Sequence, residues 1–289
     1  MAGRREVTTY CGSQRSPRVV TSRASPTTRH KVCSRLVDPE TLKTEIRRLG
    51  PWHHEIEVVP GVSTSIARDE PYPEQYGRVT FLDWRDSFRS KMLSLYPGGL
   101  GERSVLDCGC NCGECLFWSK ELGAGRCYGF DARAHWIAQG RFLIEHSQLQ
   151  SDDVTLEVHD LYEVPSLGLE PFDVVLFHGL LYHLPDPITG LRIAGDLTRE
   201  LIVVNTATAT GHPDGLLMLG KEGQTQLLSG IYGLNWFPTG PEVVARILAW
   251  IGFTEWKLLW WHQEVEPGRG RLELVASKIP GSLSSATRL

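Results

Sequence analysis

The chain lacks any run of the ~20 consecutive apolar residues needed to cross a bilayer, and no basic segment leading into an apolar stretch opens it. A membrane-spanning or secreted protein is therefore not expected, and the reading is a soluble, cytoplasmic one. A second cysteine pair is also missing. Cys112 and Cys115 form the one C-x-x-C of the chain, whereas structural zinc sites bring two separated pairs together, and Cys127 stands alone downstream. No metal site is expected. Seven cysteines in 289 residues, in a chain long enough to build a core without staples, read as reduced thiols. The Gly-Lys-Ser/Thr of a P-loop is absent, and where a dinucleotide fingerprint would put its third glycine the chain has Glu114. There is no internal repeat.

Acids are nearly missing from residues 1–35, where Glu6 stands against Arg4, Arg5, Arg15, Arg18, Arg23, Arg29, Lys31 and Arg35. With little apolar periodicity, this segment reads as a flexible basic tail. An organelle transit peptide has a similar composition but would form an amphipathic helix, which this stretch does not suggest. The net charge of the chain is −4, so Leu36–Leu289 carries −11. That acidic body is a poor partner for nucleic acid, whose binding requires neutralised phosphates.

What remains is a chain with 41% hydrophobic residues, enough for a sizeable core. In "DPETLKTEIRRL", Asp38–Leu49, a capping acid, an early proline and late bases mark a short helix. "PWHHEIEVVPGVSTS" reads as extended with a turn at Pro60-Gly61, and Trp84–Leu95 as a second helix. Together they make an N-terminal helical/extended cap over 36–100. From there "SVLDCG", "RCYGFD", "VTLEVHD", "FDVVLFHG" and "ELIVVNT" are short apolar runs separated by helix-length segments. Such runs suit a parallel sheet covered on both faces, a doubly wound α/β domain over 101–279. A helix starting near Pro241 and ending before Gly252 precedes two closing strands joined at Pro267–Gly270, with a C-terminal tail over 280–289.

The chemistry concentrates in "VLDCGCNCGE", Val105–Glu114. After the strand, Gly109, Asn111 and Gly113 recur at every second position before an apolar helix. A sharp turn that lets a ligand lie against the backbone needs residues tolerant of positive φ, and asparagine is the commonest substitute for glycine there. Asp107 and Glu114 flank the turn and would repel a pyrophosphate on the helix N-terminus. They suit a cofactor bearing an ammonium and a sulfonium, which is S-adenosylmethionine. Asp131 ends the next strand, 22 positions after Gly109, where a nucleotide site of this kind puts the carboxylate for both ribose hydroxyls. Asp160 ends the third strand, placed to accept from an adenine amino group, with Leu161 as an apolar shelf for the ring.

These stretches, with "GFD", "HDLYE" and "FDVVLFHGLLYHLPDP", resemble the class I S-adenosylmethionine-dependent methyltransferases over roughly Arg103–Lys278. The resemblance implies a Rossmann-like seven-stranded, mostly parallel sheet whose last strand runs antiparallel, with the cofactor across its carboxyl edge. His178, Tyr182 and His183 then reach the reaction site, His178 against the cofactor. His183 can equally tie down the loop before Pro185-Asp186-Pro187. His54 is the preferred base or acceptor-orienting residue, since a neutral imidazole near pH 7 can take a proton. Trp236 and Phe237 offer an aromatic wall for an acceptor or pack the helix entry. The glycine-rich stretch from Gly211 to Gly230 can form a lid.

Within that superfamily the chain is most similar to enzymes that build the oxyacetic acid group on the tRNA wobble uridine, through "PWHH" with "PGV", "DWRDSF", "GLLYH", "NWFP" and "RLELVASK". In those enzymes a lysine, a tyrosine and an arginine hold the carboxyl of carboxy-S-adenosylmethionine, with a tryptophan nearby. By position the tyrosine matches Tyr182, the arginine Arg271 and the tryptophan Trp84, while the lysine falls on His54, a weaker carboxylate anchor. The favoured expectation is methyl transfer from S-adenosylmethionine to a small molecule, a natural product or sugar among them. A tRNA-modifying enzyme using the carboxylated cofactor comes second, and a non-catalytic or metal-binding Rossmann-like module third.

Overall fold

The computed structural model describes residues 38–67, 81–149, 151–223 and 227–283. The tail expected over 1–35, and residues 284–289 of the expected C-terminal tail, lie outside the described residues. The described chain opens with α1 (Pro39–Arg48), whose Asp38 carboxylate caps the Thr41 amide at 3.1 Å. A short hairpin follows, β1 (Glu57–Val59) with β2 (Val62–Ser63), turning at Pro60-Gly61. Helix α2 (Phe81–Leu95) completes the N-terminal region. Leu42, Ile46, Trp52, Ile56, Val58 and Val62 bury one apolar face against Phe117, Phe142 and Leu143. Trp52, fully buried, also donates its indole N–H to the Ile46 carbonyl at 2.8 Å, so its polar tip is satisfied.

The α/β alternation runs β3 (Val105–Cys108), α3 (Glu114–Glu121), β4 (Cys127–Asp131), α4 (Ala134–His146), β5 (Val154–Val158), β6 (Phe172–His178), α5 (Pro187–Asp196) and β7 (Thr198–Ala209). A hairpin of β8 (Leu217–Lys221) and β9 (Leu234–Pro238) comes next, then α6 (Pro241–Trp250), β10 (Glu255–Glu266) and β11 (Arg269–Ser277). The main sheet has the order β10-β11-β7-β6-β3-β4-β5. Strands β5, β4, β3, β6 and β7 are parallel, and β11 inserts antiparallel between β7 and β10. The seven-stranded Rossmann-like sheet with an antiparallel last strand is thus the architecture.

Strand β6 shows why continuous apolar runs are needed. Phe172, Val175 and Phe177 enter one core, and Val174 and Leu176 the other. Both faces of the sheet are covered, so a period-2 pattern has no polar side to display. The strand order reverses at β3, whose neighbours are β4 and β6, and a crevice therefore opens beyond their carboxyl ends. The β8–β9 pair replaces part of the expected lid. Its strands are five residues each, β8 unburied and β9 with three buried residues, and a long loop separates them, so no apolar alternation announces them.

Candidate active site

The turn after β3 is built on three residues of positive φ: Gly109 at 72°, Asn111 at 52° and Gly113 at 85°. The Gly109 and Cys110 amides both donate to the Phe130 carbonyl at 2.9 Å, which binds the turn to β4. Asn111 accepts the Cys112 amide on its own side-chain oxygen at 2.8 Å, a local bond that offsets the strain of the left-handed conformation. Gly113 has a different role: a Cβ there would come within 3.0 Å of Leu156. Its missing side chain serves close helix–sheet packing.

Around this turn stand the acids. The Asp131 carboxylate accepts from the amides of Asn111 (3.1 Å) and Arg133 (2.9 Å). Burial nevertheless pushes Asp131 up to about 6, with Glu114 adding to the rise. Asp107 is buried beneath, and burial together with Glu114 and Asp131 holds it well above the usual carboxylate range, with Lys91 acting weakly in the other direction. Among the described residues no hydrogen bond reaches the Asp107 carboxylate. Burial also acts to raise Glu114, but His54 together with hydrogen bonds from its own backbone and Cys112 offsets it, and Glu114 lies below its ordinary value. The His54 Nε2 is 2.9 Å from Glu114 Oε1, and the His54 ring meets Trp84 edge-on at 6.1 Å. The N-terminal region thereby delivers a histidine to the first turn of α3.

The other two histidines differ. Burial, with Lys91 and Arg271 near, pushes His178 down to about 3, so its ring is neutral and a feeble base at pH 7. Its Nε2 is buried without a hydrogen-bond partner, 3.9 Å from Glu273. His183 sits in a 3-10 turn, Leu181–His183, with Nδ1 at 2.6 Å from Glu222 Oε1. That contact ties the loop to the end of β8. The Tyr182 ring stacks on Phe237 at 6.0 Å.

A relay of buried polar groups lies around Glu273. Lys91 Nζ and Asn205 Nδ2 both reach Glu273 Oε2, at 3.0 and 3.1 Å, and the Asn205 oxygen accepts from Arg271 Nε at 2.7 Å. Arg271 Nη2 and the Tyr182 hydroxyl then flank one space, 3.5 and 3.8 Å from where a Cβ on Gly179 would lie. Glu273 occupies a core-facing position of β11; burial acts to raise its carboxyl, but Lys91, His178 and Asn205 together hold it below the ordinary carboxylate range.

Some expected residues have other surroundings. Leu161 is 4% exposed within the core, so its side chain is not presented as a shelf for a ring. Asp160 accepts the Tyr162 amide at 2.9 Å and also the Tyr232 hydroxyl. Trp236 donates to the Pro185 carbonyl at 3.2 Å, which fixes the approach to α6. The thiols diverge: Cys108 enters one core, Cys110, Cys115 and Cys127 a second, and Cys112 the N-terminal cluster. Lys91, Asn205, Glu273 and Tyr232 contact the expected residues without being singled out by the sequence patterns. Only Glu273 carries a local signal, since an acid inside "RLELVAS" interrupts an apolar closing strand.

Residues 101–226 match the family model described as "Methyltransferase domain". A tRNA U34 carboxymethyltransferase of Campylobacter hominis is 35% identical over 115 residues, 39% of this chain and 39% of that protein. The Helicobacter pylori (strain G27) protein of the same name is 26% identical over 184 residues, covering 61% and 63%. The chain thus spans about two fifths to two thirds of the length of these curated relatives. Among solved structures, the N-terminal domain of EvdMO1 with SAH bound superposes with a TM-score of 0.68 at 20% identity, over 83% of this chain and 97% of that one, which is a likeness of fold. Residues 101–226 are thus similar to the methyltransferase-domain family over less than half of the chain, and the described chain shares the Rossmann-like fold of the solved EvdMO1 domain.

Proposed function

We propose that this protein transfers a methyl group from S-adenosylmethionine to a small-molecule acceptor by in-line displacement. The observation that carries the reading is the convergence of Asp107, Glu114 and Asp131 at the strand-order reversal, two of them held in a raised range by burial and mutual repulsion. A buried acidic cluster is costly unless a cation or several donors join it. S-adenosylmethionine meets that demand with an ammonium, a sulfonium and two ribose hydroxyls, and when bound it supplies a methyl group already activated by sulfur.

The residues of the chain have the remaining work. Asp131 takes the ribose hydroxyls and Asp160 the adenine amino group, while Gly109 and Asn111 let the ligand approach the turn. His178, neutral and buried, packs near the reaction centre and can share one hydrogen bond there. His54, oriented by Glu114, accepts a proton from an acceptor that must lose one. Trp84, Tyr182, Trp236 and Arg271 bound the acceptor side, with Arg271 and Tyr182 suited to an anionic or hydroxyl-rich group. The acidic body and the likeness, over 83% of this chain, to a domain also crystallised in the presence of D-fucose support a small acceptor.

A second reading has its own support. Arg271 ion-pairs with no carboxylate among the described residues, and the guanidinium nitrogen beside Gly179 and Tyr182 could hold a carboxylate carried by the cofactor. The names of the curated relatives point the same way, toward tRNA carboxymethylation. Native mass spectrometry of the purified chain, followed by calorimetric titration with S-adenosylmethionine and its carboxy form, separates the two. Preference for the ordinary cofactor is the expected result. A preference of tenfold or more for the carboxy form would move the assignment to the second reading, and failure to bind either would remove both.

A further inference from the structure

Residues 227–233 cross the carboxyl edge of the sheet on the side proposed for the adenosyl group. They are fastened at both ends. The Leu227 carbonyl accepts from Arg133 Nη1 at 2.9 Å, two residues beyond Asp131. At the other end the Tyr232 hydroxyl donates to Asp160 Oδ2, while Oδ1 of the same carboxylate is taken by the Tyr162 amide. The Tyr232 ring also meets Tyr162 edge-on, with centroids 6.0 Å apart. Two neighbouring strand ends, β4 and β5, are thus bridged by one short segment.

Burial raises the Tyr232 hydroxyl above its ordinary range, and Asp160 raises it further, so it stays a donor at any physiological pH. A phenol donating to a carboxylate is a charge-assisted hydrogen bond, among the stronger kinds available to side chains. An adenine amino group approaching Asp160 has the same chemical need, an acceptor oxygen in the same half of the carboxylate, because the other oxygen is engaged by backbone.

We propose that the Tyr232 hydroxyl and the adenine amino group of the cofactor compete for Asp160, so that docking of residues 227–233 and entry of an adenosyl ligand exclude one another. The inference rests on the cofactor reading above and adds to it a residue that sets cofactor affinity and exchange without contributing to the chemistry. Binding then requires release of Tyr232, and the segment acts as a latch whose strength is subtracted from the affinity.

The test uses S-adenosylhomocysteine as probe and the full chain as wild type, Tyr232→Phe and Asp160→Asn. Calorimetry should find Tyr232→Phe binding about 10- to 100-fold more tightly than wild type, the fold-change of one hydrogen bond to a charged group. Asp160→Asn should bind more weakly, since it loses the charged acceptor. Amide hydrogen exchange over 227–233 should speed up when the probe is added to wild type. Equal or weaker binding by Tyr232→Phe, or slower exchange in that segment with ligand, would overturn the competition and leave the cofactor reading standing. Absence of binding by the wild-type chain would instead overturn the cofactor reading, and this inference with it.

Discussion

Replacing Asp131 with asparagine should move stability and cofactor binding in opposite directions. The carboxyl is raised from 3.8 to about 6 in the folded protein. A group raised on folding destabilises the native state once it is ionised: the penalty is absent below the unfolded value, grows between about pH 4 and 6, and is full above that. A rise of that size corresponds to a cost on the order of 3 kcal/mol at pH 8. Asparagine carries no charge and keeps one acceptor oxygen, so of the two amide bonds from Asn111 and Arg133 one is lost, at about 1 kcal/mol. The free variant should therefore be about 1–2 kcal/mol more stable than wild type in urea at pH 8 and about 1 kcal/mol less stable near pH 4, where the penalty is gone and the lost bond remains. Binding should suffer. Two ribose hydroxyls donating to a carboxylate contribute roughly 1.5–3 kcal/mol each, and an amide presents one of them with a donor. S-adenosylhomocysteine affinity should fall by about 30- to 1,000-fold. A variant that is destabilised yet binds normally would refute the reasoning on both counts, and Asp131 would be a turn-forming residue only.

Other outcomes follow from the same geometry. Affinity of the wild-type chain for S-adenosylhomocysteine should rise with pH and level off above about 6, where Asp131 is ionised, with about a tenfold loss by pH 5; a flat titration profile would remove Asp131 from the site. Lys91→Met leaves Glu273 buried without its cation and should cost about 3–5 kcal/mol in chemical denaturation, while Lys91→Met with Glu273→Met should recover most of it. Trp52→Ala should cost about 3–5 kcal/mol by opening the cluster that holds the N-terminal region to α3 and α4, read as a lowered denaturation midpoint. His54→Ala should slow methyl transfer by about 10²–10⁴-fold in single-turnover assays at saturating cofactor.

The fold is largely legible in the sequence because its signals are local. Each inner parallel strand is buried on both faces and so announces itself as a short apolar run, and each ends at a residue whose polarity marks the crevice. Asp38 with Pro39, and Pro241 with Gly252, likewise punctuate α1 and α6 within a few positions. The β8–β9 hairpin shows where such signals fail. Its pairing of Met218 with Phe237 and Leu219 with Trp236 closes a long loop, and its exposed Leu219 gives no alternation to read.

The site divides along the same line. Asp107, Asn111 and Asp131 are close in sequence to a glycine pattern and can be placed by counting. The acceptor side cannot, because its order comes from charges that meet across the chain: Lys91 and Glu273 are 182 residues apart and Asn205 and Arg271 are 66 apart. A lysine on a surface-patterned helix reads as solvated until a buried carboxylate is found opposite it. That pairing has a functional consequence. With Lys91 neutralised by Glu273, and His178 uncharged, Arg271 is the one cation of this network without a counter-charge among the described residues. A single guanidinium fixed through Asn205 selects for one anionic or hydroxyl-bearing group by geometry rather than by bulk positive charge. Removing Glu273 alone would free Lys91 and leave two cations of this network without a counter-charge, so on the proposed reading Glu273 limits how much negative charge an acceptor or cofactor can bring to Gly179.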